Sequence, residues 1–515
     1  MEYGFLSVIP ALLAIVLAIV TKNIVISLLI AVFAGSTIVC GWNPILGFTE
    51  MIHTHMFNAL EESTNMQGLF MMVIIAGFVA LLTRSGGANA FTSLVTKKVN
   101  NRRKCETGIF LGGLIVWFTD TGNSLIVGPI FEALAEKLCV SREKFAYILD
   151  CTTSPICSLI PIIGWGVVTM SYIQTELDTA GITEITSMEI FLQAIPLNFY
   201  AVLTLFMAGL LAVTQWDYGP MLKAQNRAMQ TGKTIRDGGT PMRSENDNNI
   251  ALPEGKEAKV STMVVPLAVM LIVLFAYLQS KDFLTTRVAG TDIRTAIASG
   301  FLCGTFALIV LCVKDKLFTF TECVNIYTKG CANAMFMCIV LVLAWSLSDV
   351  TSTLGTADYL VNVSSGLLKP SMLPLFMFLI GAVMSFATGT SWGTMAILFP
   401  LGLPMAISME ASLPLVSAAI IGGGLFGDHC SPISDTTILA SIGSSCDHID
   451  HFETQMPYAV TVGVLCAVFF SLAGIYTSPV MLVAAMVVLT VVVFILHRIF
   501  VTRYGQVKQP GESIR

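Results

Sequence analysis

Apolar stretches of about 20 residues, the length a bilayer core demands, recur along this 515-residue chain, for instance around 263–279, 297–313 and 480–496. Lipid offers no hydrogen-bond partner to a peptide group, so such a backbone must satisfy itself, and here that means helices. Composition agrees: 55% of the residues are hydrophobic, only 12% are charged and the mean hydropathy is +0.78, where a soluble protein carries about 25% charge. The class is an all-α polytopic membrane protein. Met1-Glu2-Tyr3 lacks the basic residues of a cleavable signal peptide, so the first apolar run is expected to remain as a span. Thirteen cysteines are scattered through the chain without the paired spacing of a disulfide framework or zinc ribbon, and they read as small apolar fillers of helix interfaces.

Basic residues gather in four places: six in 84–104, seven in 223–259, three in 314–329 and four after His497. Lys and Arg mark the cytoplasmic face, so the base-free acidic loops at 41–67 and 172–189 face outward. This predicts about eleven transmembrane helices in a plasma (inner) membrane, with the N-terminus outside and the C-terminus cytoplasmic. The segment 107–130 starts after one basic loop and ends before Lys137, Arg142 and Lys144. It is therefore expected to dip in and return as a re-entrant hairpin, turning at Asp120-Thr121-Gly122-Asn123-Ser124. A second such hairpin is expected at 372–400, broken at Thr388-Gly389-Thr390-Ser391-Trp392-Gly393-Thr394.

Each half then carries one Ser-Pro-Ile triplet, Ser154-Pro155-Ile156 and Ser431-Pro432-Ile433. A proline inside a membrane helix frees a carbonyl and lets the helix break. Because one series starts outside and the other inside, the halves are predicted to be inverted repeats, the sequence signature of a secondary transporter. The expected division is a two-helix segment (1–67), a first repeat (68–214), a flexible polar cytoplasmic linker (215–260), connecting helices (261–330), a second repeat (331–477), and a last helix with its tail (478–515).

Chemistry concentrates in Gly427-Asp428-His429-Cys430-Ser431-Pro432-Ile433-Ser434-Asp435-Thr436-Thr437, inside a stretch from 370 to 497 that holds no Lys or Arg. Burying Asp428 and Asp435 there costs roughly several kcal/mol per charge unless a cation or a proton neutralises them. Ser431, Ser434 and Thr436 add hydroxyls. Asp120, Thr121, Asn123 and Ser124 at the first break, Ser154 in the first triplet, and Thr390, Ser391 and Thr394 at the second break complete the candidate set. Hard oxygen donors suit Na+, which is expected at Asp428 and Asp435; helix capping is the alternative role for Asp120 and Ser124. Asp150, close in sequence to Arg142 and Lys144, is a secondary candidate that can pair with either at the interface. His429, His448 and His451 are candidate pH sensors, and the Cys/His spacing around Cys446 does not fit zinc. Gly422-Gly423-Gly424 lacks the lysine of a phosphate loop and reads as close helix packing. No nucleophile and base are paired, so no enzyme is expected, and nucleic acid is not an expected partner.

The run from Phe426-Gly427-Asp428 to Asp435-Thr436-Thr437, followed by Cys446-Asp447-His448-Ile449-Asp450-His451 and Gln455-Met456-Pro457-Tyr458, resembles the NhaC-type sodium/proton antiporter family of the ion-transporter superfamily. The resemblance covers nearly the whole chain. It implies two re-entrant hairpins and two unwound helices around a central site, alternating access, and a carboxylate site shared by Na+ and H+, with Na+ as coupling ion and no cofactor. Some relatives carry Lys where this chain has His429, and a histidine titrates near neutral pH where a lysine does not. Relatives with the Asp-His-Cys form also move amino or organic acids. The alternative is therefore a Na+-coupled carrier of an amino acid or small organic acid, whose carboxylate would meet the helix N-termini at Gly122-Asn123-Ser124 and Gly389-Thr390-Ser391. A homodimer in the lipid bilayer is compatible with either function.

Overall fold

The computed structural model describes residues 3–21, 23–96, 99–241, 258–281, 290–364 and 369–505. Among them every regular element is a helix, and ten are long and apolar enough to cross a membrane, or eleven if Val25–Val39 and Pro44–Glu61, bent by 116°, form one span. The helices that position the site are labelled in chain order: α1 (Ile9–Thr21), α2 (Ile24–Val39), α3 (Ser63–Arg84), α4 (Arg102–Ile115), α5 (Asp120–Lys137), α6 (Arg142–Cys151), α7 (Gly164–Thr179), α8 (Phe199–Thr214) and α9 (Ser261–Gln279). The series continues with α10 (Gly290–Lys314), α11 (Phe320–Asn333), α12 (Met335–Thr353), α13 (Leu373–Thr388), α14 (Ser391–Ser408), α15 (Leu413–His429), α16 (Asp435–Ser444), α17 (His448–Ile475) and α18 (Val480–Tyr504).

The first hairpin is α4 and α5. The 14 residues of α4 rise only about 21 Å, short of the roughly 30 Å hydrocarbon core. Its turn lies at residues 116–119, not at 120–124 as the sequence suggests. The physical reason is a cap: Thr119 takes an extended backbone and its Oγ1 accepts from the N–H of Gly122 at 3.0 Å, so Asp120 is already the first residue of α5. The second hairpin, α13 and α14, turns at Gly389, whose φ of 70° lies in the left-handed region. A Cβ there would also stand 2.5 Å from the carbonyl oxygen of Ile433, so only glycine lets this tip touch the break between α15 and α16.

Both triplets fall in breaks. After α6 come Thr152 and Thr153, the single turn Ser154–Cys157 with Pro155 near its start, and irregular chain as far as α7. After α15, residues 430–434 are irregular until Ser434 caps α16, accepting from the N–H of Thr437 at 3.2 Å. The base of the first hairpin lies at the face that carries the linker, where the Arg102 Nε donates to Gln215 Oε1. The base of the second lies at the opposite face, where Ser371 presses against Gly474 near the end of α17. The two halves are thus inverted. Close packing around the triple glycine holds as well: a Cβ on Gly423 would sit 2.4 Å from the Phe378 carbonyl oxygen, and Phe378 stacks on Phe426 at 5.7 Å.

The described part of the linker, 215–241, is not the flexible chain expected, and 242–257 lie outside the described residues. Residues 219–231 are helical with Met221, Leu222, Ala224 and Ala228 buried, an apolar face that overall polarity conceals. Within them Arg227 pairs with Glu143 at 2.9 Å, and beyond them Thr234 O accepts from the Arg142 N–H at 3.0 Å, Arg236 pairs with Asp450 at 2.6 Å, and the Thr240 N–H donates to Asp447 Oδ2 at 2.8 Å. Residues 215–241 therefore form a strap across the feet of α6 and α17.

Candidate functional site

Asp428 occupies the last turn of α15, a position where helix carbonyls favour positive charge. Its Oδ2 accepts from Thr436 Oγ1 at 2.7 Å, and Ser434 Oγ lies 3.1 Å from the same hydroxyl. Its Oδ1 is buried with no partner. Asp435 differs: it is exposed to a cavity, and its Oδ1 accepts from the N–H of Thr436 at 2.9 Å. The two acids are therefore not equivalent, one enclosed and one wetted. Asp428 lies within Coulombic reach of both Asp435 and Asp150. Among the described residues no Lys or Arg pairs with any of these three.

Asp150, ranked second in the sequence, stands at the centre. It is fully buried at the end of α6; its Oδ2 accepts from Gln455 Nε2 at 2.6 Å and from Thr437 Oγ1 at 3.1 Å, and its Oδ1 has no partner. The pairing proposed with Arg142 or Lys144 is not formed. Arg142 instead binds Glu132 at 3.1 Å, Glu136 at 2.9 Å and the Ser444 carbonyl at 2.9 Å, while Lys144 pairs with Asp217. Six residues turn a helix by about 240°, so Lys144 and Asp150 face apart. A usable signal existed in the repeat itself: Asp150 precedes Ser154-Pro155 much as Asp428 precedes Ser431-Pro432.

Several of the candidate ligands also hold the breaks in place, and Asn123 keeps its Oδ1 buried without a partner. Asn123 Nδ2 donates to the carbonyls of Gly113 at 2.7 Å, Thr152 at 2.9 Å and Val116 at 3.2 Å, sewing the first hairpin to the first break. Ser431 Oγ donates to Phe386 O at 2.7 Å, doing the same in the second half. Thr394 bonds back to Thr390 O at 3.0 Å and Ser391 Oγ reaches Gly424 O at 3.4 Å. The hydroxyls of Ser124 and Ser154 are buried without partners. Thr121 lies in α5, with its side chain outside the described residues. His429 faces Tyr200 OH through Nδ1 at 3.1 Å, and its Nε2 has no partner. His448 and His451 share Ser441, and His451 Nε2 stands 3.9 Å from Asp150 Oδ2.

A cavity of about 1050 Å³ runs from Arg84, Phe318 and Glu322 near the linker face to Asp120, Thr390 and Asp435. At its inner end Trp165 and Trp392, one from each half, meet with ring centroids 4.3 Å apart, and Trp165 Nε1 donates to Asp120 Oδ2 at 2.8 Å. This brings Asp120 and Asp435 to one space, with Asp428 enclosed behind it.

Residues 156–475 match the model of a family described as the Na+/H+ antiporter family. An uncharacterized protein of Haemophilus influenzae is 31% identical over 498 residues, 95% of this chain and 94% of its own length. The malate-2H+/Na+-lactate antiporter of Bacillus subtilis is 30% identical over 157 residues, 30% of this chain and 34% of its own. The crystal structure of the Alcanivorax borkumensis YdaH transporter is similar with a TM-score of 0.55 at 13% identity, over 82% of this chain and 88% of that one; at such identity the likeness is one of fold.

Proposed function

The chain belongs to the Na+/H+ antiporter family, and from that premise we propose that Na+ and H+ compete for Asp428. The observation that carries this reading is the bare Oδ1 of a buried carboxylate with a second acid beside it and no basic partner. A lone charge in that position must be neutralised, and either ion does so. Na+ would be held by Asp428, Ser434 and Thr436, with Asp435 and Asp120 lining its way in; a proton takes its place when it leaves. Asp150 handles protons only.

The cavity reaches the linker face, which the bases in 84–104 and 223–259 assign to the cytoplasm of a plasma membrane, with the N-terminus outside. The described state is then inward-open, and the repeats at 68–214 and 331–477 rock about the site to give access from the other side. In proteoliposomes, an imposed Na+ gradient is expected to move protons without any organic solute. Asp428→Asn should cut that exchange about a hundredfold, since several kcal/mol of charge compensation disappear. Wild-type exchange in Asp428→Asn would sink the assignment.

A second reading rests on the cavity. Its volume sits at the top of the roughly 300–1,000 Å³ typical of small-molecule sites, and the paired indoles offer faces for a cationic group. A small zwitterion with its ammonium between Asp120 and Asp435, and its carboxylate at the N-terminus of α14, fits that chemistry. The Bacillus subtilis relative is named for a sodium-linked organic acid. Saturable, Na+-dependent uptake of a labelled amino acid that fails in Trp392→Ala would establish this reading; its absence across the amino acids would remove it.

A further inference from the structure

We propose that His448, Ser441 and His451 form a relay that holds one excess proton and carries protons between Asp150 and the linker face. The inference rests on proton exchange as read above and adds the route. It follows from counting hydrogens. Gln455 Nε2 donates to Asp150 Oδ2 at 2.6 Å and to the His429 carbonyl at 3.1 Å, two groups that accept, so the orientation of the amide is settled. Its Oε1 then faces His451 Nε2 at 3.0 Å. A carbonyl oxygen only accepts, so that nitrogen carries a hydrogen. His448 Nε2 faces Pro432 O at 2.7 Å and carries one by the same rule.

A neutral imidazole has a single N–H. With both Nε2 atoms protonated, two neutral rings would turn bare Nδ1 lone pairs toward Ser441 Oγ, at 3.1 Å from His448 and 2.9 Å from His451. One hydroxyl hydrogen cannot serve both, and Thr437 O, 2.8 Å away, competes for it. One added proton resolves the mismatch. One ring becomes imidazolium and donates to Oγ, and Oγ donates to the other ring. Two added protons would set like charges across a single oxygen in a buried place, which is unfavourable.

The relay also has direction. His448 is half-buried at the foot of α17, whereas Ser441, His451 and Asp150 are enclosed. A proton on His448 Nδ1 passes to Ser441 Oγ as the hydroxyl hydrogen passes to His451 Nδ1; one N–H and one O–H break while one of each forms. His451 Nε2 is bonded to Gln455 Oε1 and stands 3.9 Å from Asp150 Oδ2; when the Gln455 amide swings aside, that nitrogen gives its hydrogen to the carboxylate and the ring is left neutral with its hydrogen on Nδ1. The charged groups around the relay are Asp150 beside His451, with Asp428 and Asp435 behind it, Arg142 and Glu143 of α6 and Asp447 and Asp450 at the foot of α17, which surround the adjoining Cys446, and Glu453 with Arg227 and Arg236 of the strap. Cys446 completes the set.

The test compares Ser441→Ala with Ser441→Thr in proteoliposomes. Na+/H+ exchange is expected to fall on the order of tenfold or more in S441A and to lose its wild-type pH profile, while Na+/Na+ exchange persists and S441T retains both. An unchanged rate and profile in S441A overturns the relay, and so does an equal loss of Na+/Na+ exchange, which marks a packing defect. Histidine ring-nitrogen NMR on the reconstituted full chain reads the relay without transport. An imidazolium signal assigned to His448 or His451, told apart from that of His55 beside Asp349 by its loss in His448→Gln, should be present near neutral pH in the wild type and in Asp428→Asn and absent in S441A; its presence in S441A overturns the proposal. If the wild type moves no protons against Na+, the antiport reading fails, and the NMR comparison still decides the relay.

Discussion

Asp428 and Asp150 each leave one carboxylate oxygen unpaired in a buried setting, yet their surroundings ask for different ions. Asp428 has two hydroxyls, of Ser434 and Thr436, beside it, the hard-oxygen company Na+ prefers; Asp150 has one, of Thr437, together with an amide and a histidine. Asp428→Asn should therefore abolish Na+ protection against thermal unfolding, while Asp150→Asn should leave that protection within a few-fold and slow proton exchange instead. Equal loss of protection in both would merge the two roles into one site. Asn123 makes a separate case, for its amide holds three carbonyls. At about 1 kcal/mol per buried hydrogen bond, Asn123→Ala should destabilise the protein by about 2–4 kcal/mol, lowering the melting temperature with Na+ affinity per folded molecule unchanged. The acidic motif was readable in the sequence because acids in an apolar stretch have few uses. Asn123 was not, since a side-chain amide that binds an ion and one that ties two loops together look the same until the neighbouring carbonyls are known. Asp150 was masked by Lys144, near in the chain but on another face of the helix, and by Arg142, two turns away and engaged by Glu132 and Glu136.

The hairpins and breaks work as elements because they touch backbone to backbone. A Cβ on Gly128 of α5 would lie 2.1 Å from Gly443 O, and one on Gly443 of α16 would lie 2.3 Å from Ser124 O. The partner atoms are backbone and cannot rotate away, so Gly128→Ala should force α5 from α16, costing about 1–3 kcal/mol and lowering exchange more than Na+ binding. The first hairpin was legible from the placement of charge, because a segment flanked by bases at both ends must return to its own side, and the second from its Thr388–Thr394 break. The position of the first turn was not, because Thr119 competes with Asp120 for the cap and only local geometry decides. The strap adds a pH prediction. Burial pushes the Asp447 carboxyl up, but the N–H groups of Thr240, Asp450 and Ile449 outweigh it and hold the group below its usual range. A depressed carboxylate contributes stability above its unfolded value, about 3.9, and loses that contribution as pH falls through the lower folded value. The Thr240 amide should thus stay protected from hydrogen exchange at neutral pH and lose protection under acid. Protection that is indifferent to pH down to about 3 would remove Asp447 as the anchor.

At the scale of the molecule, two inverted halves meet at a site open on one face and closed on the other. The crossings and the inversion followed from charge bias and the doubled Ser-Pro-Ile triplet, but the closure did not, because its members are scattered through the chain. At the face away from the linker, His55 Nδ1 lies 2.6 Å from Asp349 Oδ2, joining the helical turn at 51–56 to α12, and Ser348 Oγ donates to Glu176 Oε1 at 2.5 Å, joining α12 to α7. The Ser348 to Glu176 contact joins the two repeats at this face and the His55 to Asp349 contact ties the N-terminal segment to the second, while the cavity leaves the repeats apart at the other. The His55 to Asp349 pair is buried at one end and half-exposed at the other, so its loss is worth on the order of 1 kcal/mol. That amount shifts a two-state equilibrium about fivefold. Asp349→Asn should accordingly raise the outward-open population: hydrogen exchange should quicken in the far-face segments 51–56 and 348–353 and slow around 318–329 at the mouth of the cavity. Acceleration at both faces would mean simple loosening, and the pair would then be a structural contact with no part in alternating access.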